Sequence, residues 1–571
     1  MDTKRIIIFA AIVFVAMQLW SAWQEDYKHA SKALTKTEVT TTSSSIPQDV
    51  ISNAANHVND NTNATKIPAT LVDSEQAPTG SDIVSIKTDV LELKIDSATA
   101  DIVEAALPKY TMSINQPEKP MILFNSDPEY RYFAESTFIG KGSPYNKNTS
   151  YQSSSRYYVL TDNQQQIIVD FSWKNPQDVE FIKRYKLTRS KYDIDIEYII
   201  NNQSDNIWRG NLVTQLSRTD KDPNAGKGFF TIHAYFGASI STQADPYQKL
   251  TFSDIKKKKV MEQSQGGWAA MQQHYFLSAW IPRQDQENLY YTHMQDNHLY
   301  TVGIRGAELK AAPGETVSTD AKLYVGPELT EQLKDIAPHL DMTVDYGWLW
   351  FISDILYWLL AKMYWLIGNW GWAIIAVTIL VKLLFYPLSA ASYRSMSKMR
   401  ALQPKIATLR ERYAEDRQKL TQETMALYKR EKINPFGGCL PILIQIPIFI
   451  ALYWVLVESV QLRQAPFIFW IHDLSVKDPF FILPILMGIS MIIQQRMNPA
   501  PPDPTQAKIM MFLPVVFTLL FMNFPAGLVL YWVVNNGISI LQQWYIMRNY
   551  NHSNRAPIKT NSKKIKSKSS K

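Results

Sequence analysis

The chain has 571 residues, a formal net charge of +7 and a single cysteine. This length is too great for one domain, and one cysteine excludes both an internal disulfide framework and a cysteine-based metal site. The first half is polar, the part after residue 346 is very apolar, and tryptophan and tyrosine gather at the ends of apolar runs. Aromatic residues take such positions at membrane interfaces, so the composition predicts a membrane protein with a further domain.

The N-terminus carries Lys4 and Arg5, followed by an apolar run at residues 6–20. A cleaved signal peptide has the same layout, but no good small-residue cleavage site follows this run. Trp20 and Trp23 close it instead, as they would close an interfacial anchor. We expect residues 1–24 to form an uncleaved transmembrane anchor with its basic end in the cytoplasm, and a signal peptide is the alternative.

Residues 25–81 are rich in Thr, Ser, Asn and Ala and contain few large apolar side chains. Such a segment cannot bury enough surface to offset the entropy of ordering it. It is therefore predicted to be a flexible tether on the outer side of the membrane.

Beyond the tether, apolar and polar residues alternate with a period of two. The pattern is clear at Leu91, Leu93 and Ile95, and it recurs at residues 167–173 and 192–200. One apolar and one polar face, repeated between turns, predict an antiparallel β-sandwich over residues 82–341. No residues in this domain have the spacing of a metal site or of a catalytic pair, so we expect neither metal nor cofactor.

Residues 342–369 are dense in Trp, Leu and Tyr, with Asp354 and Lys362 among them. They are expected to form an amphipathic helix that lies along the outer interface. Five apolar segments follow within residues 370–547, each about long enough to cross roughly 30 Å of hydrocarbon, the third being short. They occupy residues 371–388, 437–457, 480–494, 509–524 and 527–547.

Charge placement agrees with these crossings. The insert at residues 391–434 and the tail at residues 548–571 are strongly basic, whereas the loop at 461–479 has only Arg463 and Lys477 as cations. Basic loops stay in the cytoplasm, so both termini are expected inside and the β-domain outside. Apolar residues at spacings of three and four predict that the insert is a helical hairpin. Its charge fits a ribosome, a nascent chain or anionic lipid, or merely a connection between two spans.

Lys382 is a lone cation inside the first of the five apolar segments, which contains no acidic residue. Burying a charge at that depth costs several kcal/mol unless water or an opposite charge meets it. The absence of an acid favours a hydrated groove. Thr378 lies on the same helix face, four residues earlier. Further candidates for the groove are the polar or aromatic Gln445, Tyr531 and Trp532 and an adaptable apolar wall with Phe449 and Met487. Ordinary packing between helices is the alternative for each of them.

Several motifs of the apolar half are characteristic of a known family. They are YPL at 386–388, LQPK at 402–405, GGCLP at 437–441, QIP at 445–447, WIHDL at 470–474, PILMG at 484–488, FPAGL at 524–528 and LYW at 530–532. These segments closely resemble the YidC membrane-protein insertase family. The resemblance implies a membrane α-helical fold: an N-terminal anchor plus a five-helix insertase core, with an all-β supersandwich periplasmic domain and a cytoplasmic helical hairpin.

The resemblance also implies a function without covalent chemistry, in which the protein inserts and helps fold newly made inner-membrane proteins. It implies a bacterial inner-membrane location and, as partners, nascent membrane proteins, the Sec translocon, the ribosome and membrane lipids, but no DNA. The groove cation of the family is usually Arg, and Lys382 occupies the matching position. Thr378, Gln445, Tyr531 and Trp532 match groove or substrate-contact positions. Lys keeps the charge of Arg but loses its planar, two-pronged hydrogen bonding.

Two other classes of function remain alternatives. A secondary transporter or channel could use Lys382 to bind an anionic solute, but no inverted repeat of broken helices and no acidic proton relay is visible. A membrane enzyme would need a nucleophile and a base within the spans, and His472 lies in a loop without an obvious partner.

Overall fold

The computed structural model describes residues 83–144, 149–222, 234–295, 298–413, 416–431, 440–498 and 504–555. For residues 417, 440–444, 504–507 and 550–555 it describes the backbone alone. The predicted anchor, the tether and the tail beyond residue 555 lie outside these ranges. The chain divides into a β-domain, whose main part ends at Tyr346 and which includes Glu458–Gln461, and a helical domain formed by Gly347–Val457 and the residues from Leu462 onward.

The β-domain is built from strands with two short helices. The strands are β1 (Ile83–Lys87), β2 (Glu92–Asp96), β3 (Asp101–Ser113), β4 (Gln116–Phe124), β5 (Tyr132–Ile139), β6 (Tyr157–Val159), β7 (Gln166–Lys174), β8 (Val179–Thr188), β9 (Asp193–Asn202), β10 (Trp208–Thr219), β11 (Gly237–Ser241), β12 (Gln248–Leu250), β13 (Met261–Gln265), β14 (Trp268–Gln273), β15 (Phe276–Pro282), β16 (Glu287–Gln295), β17 (Leu299–Ala311) and β18 (Thr316–Pro327). The helices are α1 (Phe252–Lys257) and α2 (Thr330–Ile336).

These strands form two sheets. One has ten strands in the order β13-β16-β17-β10-β5-β3-β2-β1-β6, with β4 paired to β3, and the other has eight in the order β12-β11-β14-β15-β18-β9-β8-β7. The indole Nε1 of Trp280 on β15 donates to the carbonyl of Gln215 on β10 at 3.0 Å, so the sheets face each other. The predicted β-sandwich is confirmed. One pairing among the described strands departs from the antiparallel prediction, since β1 and β6 run parallel.

The alternating pattern read from the sequence matches the observed burial. On β9, Ile194, Ile196, Tyr198 and Ile200 are buried, and the residues between them are partly exposed. A strand directs successive side chains to opposite faces, so one face of β9 packs into the core between the sheets.

The helical domain begins with a short 3-10 turn, Gly347–Leu349. Its α-helices are α3 (Trp350–Ile367), α4 (Trp370–Leu384), α5 (Tyr386–Ala401), α6 (Gln403–Arg412), α7 (Arg417–Arg430), α8 (Leu440–Glu458), α9 (Ile482–Met497), α10 (Pro504–Phe521) and α11 (Ala526–Arg555). The sequence predicts helix up to residue 388 in the first of the five apolar segments, but α4 stops at Leu384 and α5 leaves at 66°. Pro387, in the first turn of α5, has no N–H with which to continue the hydrogen-bond ladder of α4.

Among the described residues, the helix Gly347–Ile367 is long and apolar enough to cross a membrane. The bent pair α4 and α5 is a second candidate if the two helices count as one span. The first is the helix that the sequence places along the interface. Of the other apolar helices, α9 (Ile482–Met497) is short, with 16 residues. A helix of that length spans only where the bilayer is locally thinned or where its flanking residues reach to the interface.

Within residues 391–434, where the sequence predicts a helical hairpin, the structure has the two helices α6 and α7. Helix α6 begins at Gln403 with Pro404 in its first turn, and the carboxylate of Asp416 caps α7 by accepting from the backbone N–H of Lys419 at 2.9 Å. Proline and aspartate favour these helix starts. The helices pack through a small apolar cluster of Leu402, Ile406, Leu427 and Tyr428. We name these four apolar residues the hairpin core. An ion pair between Lys405 and Glu431, at 2.9 Å, lies beside it.

Small and polar residues set how closely the helices approach. A Cβ atom at Gly488 on α9 would lie 2.2 Å from the Oγ1 atom of Thr518 on α10. The hydroxyl of Ser353 on α3 donates to the carbonyl of Ala451 on α8 at 3.2 Å. Membrane helices commonly associate through such small residues and interhelical hydrogen bonds.

Candidate functional site: a buried ammonium group

Lys382 lies in the last turn of α4, and its side chain points into the helical domain. Asn369 begins this helix by accepting from the backbone N–H of Trp372 at 3.1 Å. The C-terminal end of a helix carries partial negative charge, which favours a cation in the last turn. Lys382 is only 8% exposed, and no carboxylate of the described residues lies within ion-pair distance of it.

Neutral oxygen atoms surround the ammonium group instead. The Nζ atom of Lys382 donates to the Oγ atom of Ser539 on α11 at 2.7 Å and to the Oε1 atom of Gln445 on α8 at 3.3 Å. Gln445 in turn donates through Nε2 to the Oδ1 atom of Asn535. We name these four residues, Lys382, Gln445, Asn535 and Ser539, the Lys382 cluster. It joins three helices around one positive charge.

The hydrogen bonds of the Lys382 ammonium group do not fully offset the free energy cost of removing it from water. Removing a charge from water costs several kcal/mol, and a hydrogen bond to a charged group returns about 1.5–3 kcal/mol. An ammonium has three N–H donors, and two of them have partners among the described residues. The third is left to bind water or an incoming acceptor.

Two predicted site residues occupy positions inside the packing. Thr378 lies one turn before Lys382 and is buried, and its hydroxyl donates to the carbonyl of Ile374 at 2.7 Å. A threonine that donates to its own helix in this way has used its hydrogen for local structure. Met487 on α9 is 0% exposed. In this conformation it fills the interior of the domain rather than an open wall.

Phe449, Tyr531 and Trp532 lie close together. The ring of Phe449 lies 4.6 Å from that of Trp532, edge to face, and 6.1 Å from that of Tyr531. Phe517 and Phe521 of α10 also contact Trp532, at 6.4 and 5.1 Å. We name these five residues the aromatic cluster. The indole Nε1 of Trp532 is buried and has no hydrogen-bond partner among the described residues.

Ser539 is not conspicuous in the sequence. Its signal is a spacing of four: Tyr531, Asn535, Ser539 and Gln543 form one stripe along α11. Gln543 continues the stripe by donating to the carbonyl of Met497 at 3.3 Å and to Asn498 at 3.1 Å. A serine in an apolar helix is common enough that it drew no attention without its partner. The spacing of four from Tyr531 leads to it.

Comparison with known proteins places the chain in a family. Residues 362–554 match the profile of the 60Kd inner membrane protein, and residues 83–359 match that of the YidC periplasmic domain. A protein of Legionella pneumophila (strain Corby) named membrane protein insertase YidC is 47% identical over 555 residues, covering 96% of this chain and 98% of the relative.

A relative of the same name from Pseudomonas putida (strain W619) is 46% identical over 556 residues and covers 96% of this chain and 98% of that protein. A crystal structure of an active YidC insertase with its first transmembrane domain resolved aligns over 82% of this chain and 93% of that chain, with a TM-score of 0.38 and 17% identity. The identity and coverage of the sequence relatives decide the assignment: this chain belongs to the YidC family.

Proposed function

We propose that this protein is a membrane protein insertase, which inserts newly made proteins into the bacterial inner membrane and helps them fold. The observation that carries the proposal is the buried ammonium of Lys382, bonded to neutral oxygens of Gln445 and Ser539. No carboxylate within the described part of the chain pairs with this charge, so it is suited to host a negative charge for a short time. Full-length relatives named as insertases support the same function.

The proposed mechanism lowers the barrier for a polar segment. A short acidic tail of the substrate enters a hydrated groove from the cytoplasm, and its carboxylate accepts the free N–H of Lys382. Water and a cation located part-way across the membrane lower the free energy cost of moving the charged tail through hydrocarbon. No bond is made or broken, so the protein acts as a chaperone for crossing rather than as an enzyme.

The aromatic cluster is suited to the apolar part of the substrate. Phe449 and Trp532 are partly exposed, so their ring faces are available to a passing chain. Flat aromatic faces and the flexible methionines of these helices adapt to different side chains. The substrate helix would leave along this wall into lipid.

We further propose the topology and partners implied by charge. The basic hairpin, α6 and α7, and the tail lie in the cytoplasm, where they can contact the ribosome, while the β-domain lies in the periplasm. Helix α3 lies along the outer interface through its exposed Trp350, Trp358 and Trp365. The protein works alone or beside the Sec translocon.

The test uses the full chain reconstituted into phospholipid vesicles. A radiolabelled single-span substrate with a short acidic N-terminal tail is synthesised in vitro and added. Protease protection then reports translocation of the tail into the vesicle lumen. Protection only in vesicles that contain the protein is expected. Equal protection in empty vesicles would contradict the proposed function.

A second measurement locates the path. Photoreactive residues at positions 449 and 532 should crosslink to a stalled nascent chain, whereas one at the buried Met487 should not. Crosslinking at position 487 alone would contradict the proposed route.

A further inference from the structure

We propose that Ser539 is a positioning residue for Lys382, and that a groove lysine works in this chain because Ser539 and Gln445 hold its ammonium in one place. The inference rests on the proposed function, because it assumes that Lys382 meets the carboxylate of a substrate. It concerns a residue that touches the cation and need not touch the substrate.

The hydroxyl of Ser539 can act only as an acceptor toward Lys382. Its own hydrogen is donated to the carbonyl of Asn535, one turn earlier on α11, at 2.8 Å. The Oγ atom is therefore free to accept, and it accepts from the Nζ atom of Lys382, 2.7 Å away. Ser539 is 3% exposed, so water does not compete freely for this site.

The second acceptor is oriented by the same residue. The side-chain amide of Gln445 donates through Nε2 to the Oδ1 atom of Asn535, which directs its Oε1 atom toward Lys382. Asn535 thus orients both acceptors, one through its backbone carbonyl and one through its side chain. Two acceptors on two helices, α8 and α11, fix the ammonium of a third helix, α4.

Lysine needs such support more than arginine does. Its ammonium is a point charge on a flexible stem, and holding it still costs up to about 2 kcal/mol of rotamer entropy. The guanidinium of arginine is planar and presents five donors in a fixed fork, so it loses less freedom for each hydrogen bond. The contribution of Ser539 should therefore depend on the presence of lysine at position 382.

The experiment compares two substrates in the vesicle assay, identical except for one Asp or one Asn in the translocated tail. For Ser539→Ala we expect protection of the Asp tail to fall about tenfold, as for the loss of one hydrogen bond to a charged group. Protection of the Asn tail should change less than twofold. Ser539→Thr keeps the hydroxyl and should restore the Asp tail, and adding Lys382→Arg to Ser539→Ala should restore it as well.

Ser490→Ala is the matched control. The Oγ atom of Ser490 accepts from the side-chain amide of Asn536 at 3.0 Å, so this variant removes one interhelical hydrogen bond of α11 without touching the Lys382 cluster. Ser490→Ala should change the protection of the Asp tail and of the Asn tail by the same factor. Equal losses on both tails for Ser539→Ala, or no loss at all, would overturn the inference.

Wild type and Lys382→Ala, run beside these variants, separate the two proposals. If wild type fails to protect the Asp tail, the proposed function itself is contradicted. If wild type protects it, Lys382→Ala does not, and Ser539→Ala matches wild type, only the role of Ser539 is overturned.

Discussion

The indole of Trp470 donates from Nε1 to the Oδ1 atom of Asp478 at 3.0 Å. The same carboxylate accepts from the backbone N–H groups of Phe480, at 3.0 Å, and Leu483, at 2.7 Å. Asp478 is 1% exposed, and Leu483 lies in the first turn of α9. The carboxylate therefore ties the loop before α9 to the positive end of that helix.

Replacing Asp478 with Ala should lower the free energy of unfolding by about 3 kcal/mol, because one buried and two part-buried donors lose their acceptor. Asp478→Asn keeps one acceptor oxygen and should lie between Ala and wild type. Thermal melting of the full chain in detergent measures both. Asp473→Ala is the control, since Asp473 accepts from Ser475 within its own turn. A wild-type melting temperature for Asp478→Ala would contradict the assigned role.

The close approach of α9 and α10 at Gly488 gives a second prediction. Gly488→Ala should destabilise the helical domain by about 1–3 kcal/mol, because its new methyl group would overlap Thr518. Thr518→Ala on its own removes the hydroxyl that donates to the carbonyl of Pro514 at 2.7 Å, and it should have a smaller effect. The double variant should recover part of the loss, since the colliding oxygen is gone. Purely additive losses would show that these two residues do not meet.

The hairpin core should hold α6 and α7 together independently of the charges around it. Leu427→Asp places a charge among Leu402, Ile406 and Tyr428 and should open the hairpin to limited proteolysis. Breaking the exposed pair with Glu431→Gln should change the cleavage rate little, because solvent screens the attraction between exposed charges. A hairpin that is cleaved equally fast in both variants would contradict packing through this core.

Stability of the β-domain should depend on pH through Glu135. Burial, together with the nearby charge of Asp101, raises the pKa of Glu135 to about 7. Between roughly pH 4.5 and 7 the folded chain therefore binds more protons at this site than the unfolded chain, and the free energy of unfolding falls as the pH rises. The fall is at most about 3 kcal/mol.

The measurement is the melting temperature of the β-domain transition in the full chain across that pH range. Glu135→Gln removes the titrating group and keeps an oxygen near Gln215, which donates to Glu135 at 2.5 Å. Its pH profile should be flatter than that of wild type. Parallel profiles would show that Glu135 does not titrate in this window.

Local patterns in the sequence predict the class of both domains and some of their elements. The alternation along β9 predicts which of its residues are buried, and Pro404 with Asp416 marks the starts of the hairpin helices. The order of strands in the sheets could not be predicted this way, because partners such as β10 and β17 are distant in sequence. The parallel pairing of β1 and β6 is non-local for the same reason.

Residues of the candidate site also differ in whether the sequence alone reveals them. Lys382 stands out in the sequence because a charge in an apolar segment is costly. Ser539 does not stand out, since its role depends on a partner 157 positions away. Asp478 was also missed: an acid in a polar loop is ordinary until the loop folds around it. The end of α4 could have been placed better, because Pro387 was visible within the predicted segment.

The central claim is that the positive charge of Lys382 promotes insertion, and its most direct test is charge reversal at that position. Insertion of the acidic-tailed substrate by vesicles with equal amounts of folded wild type, Lys382→Arg, Lys382→Ala and Lys382→Glu should be measured side by side. We expect Arg to remain within about threefold of wild type, and Ala and Glu to fall at least tenfold, because the substrate's carboxylate would meet no cation. Insertion at the wild-type rate by Lys382→Glu would contradict the account.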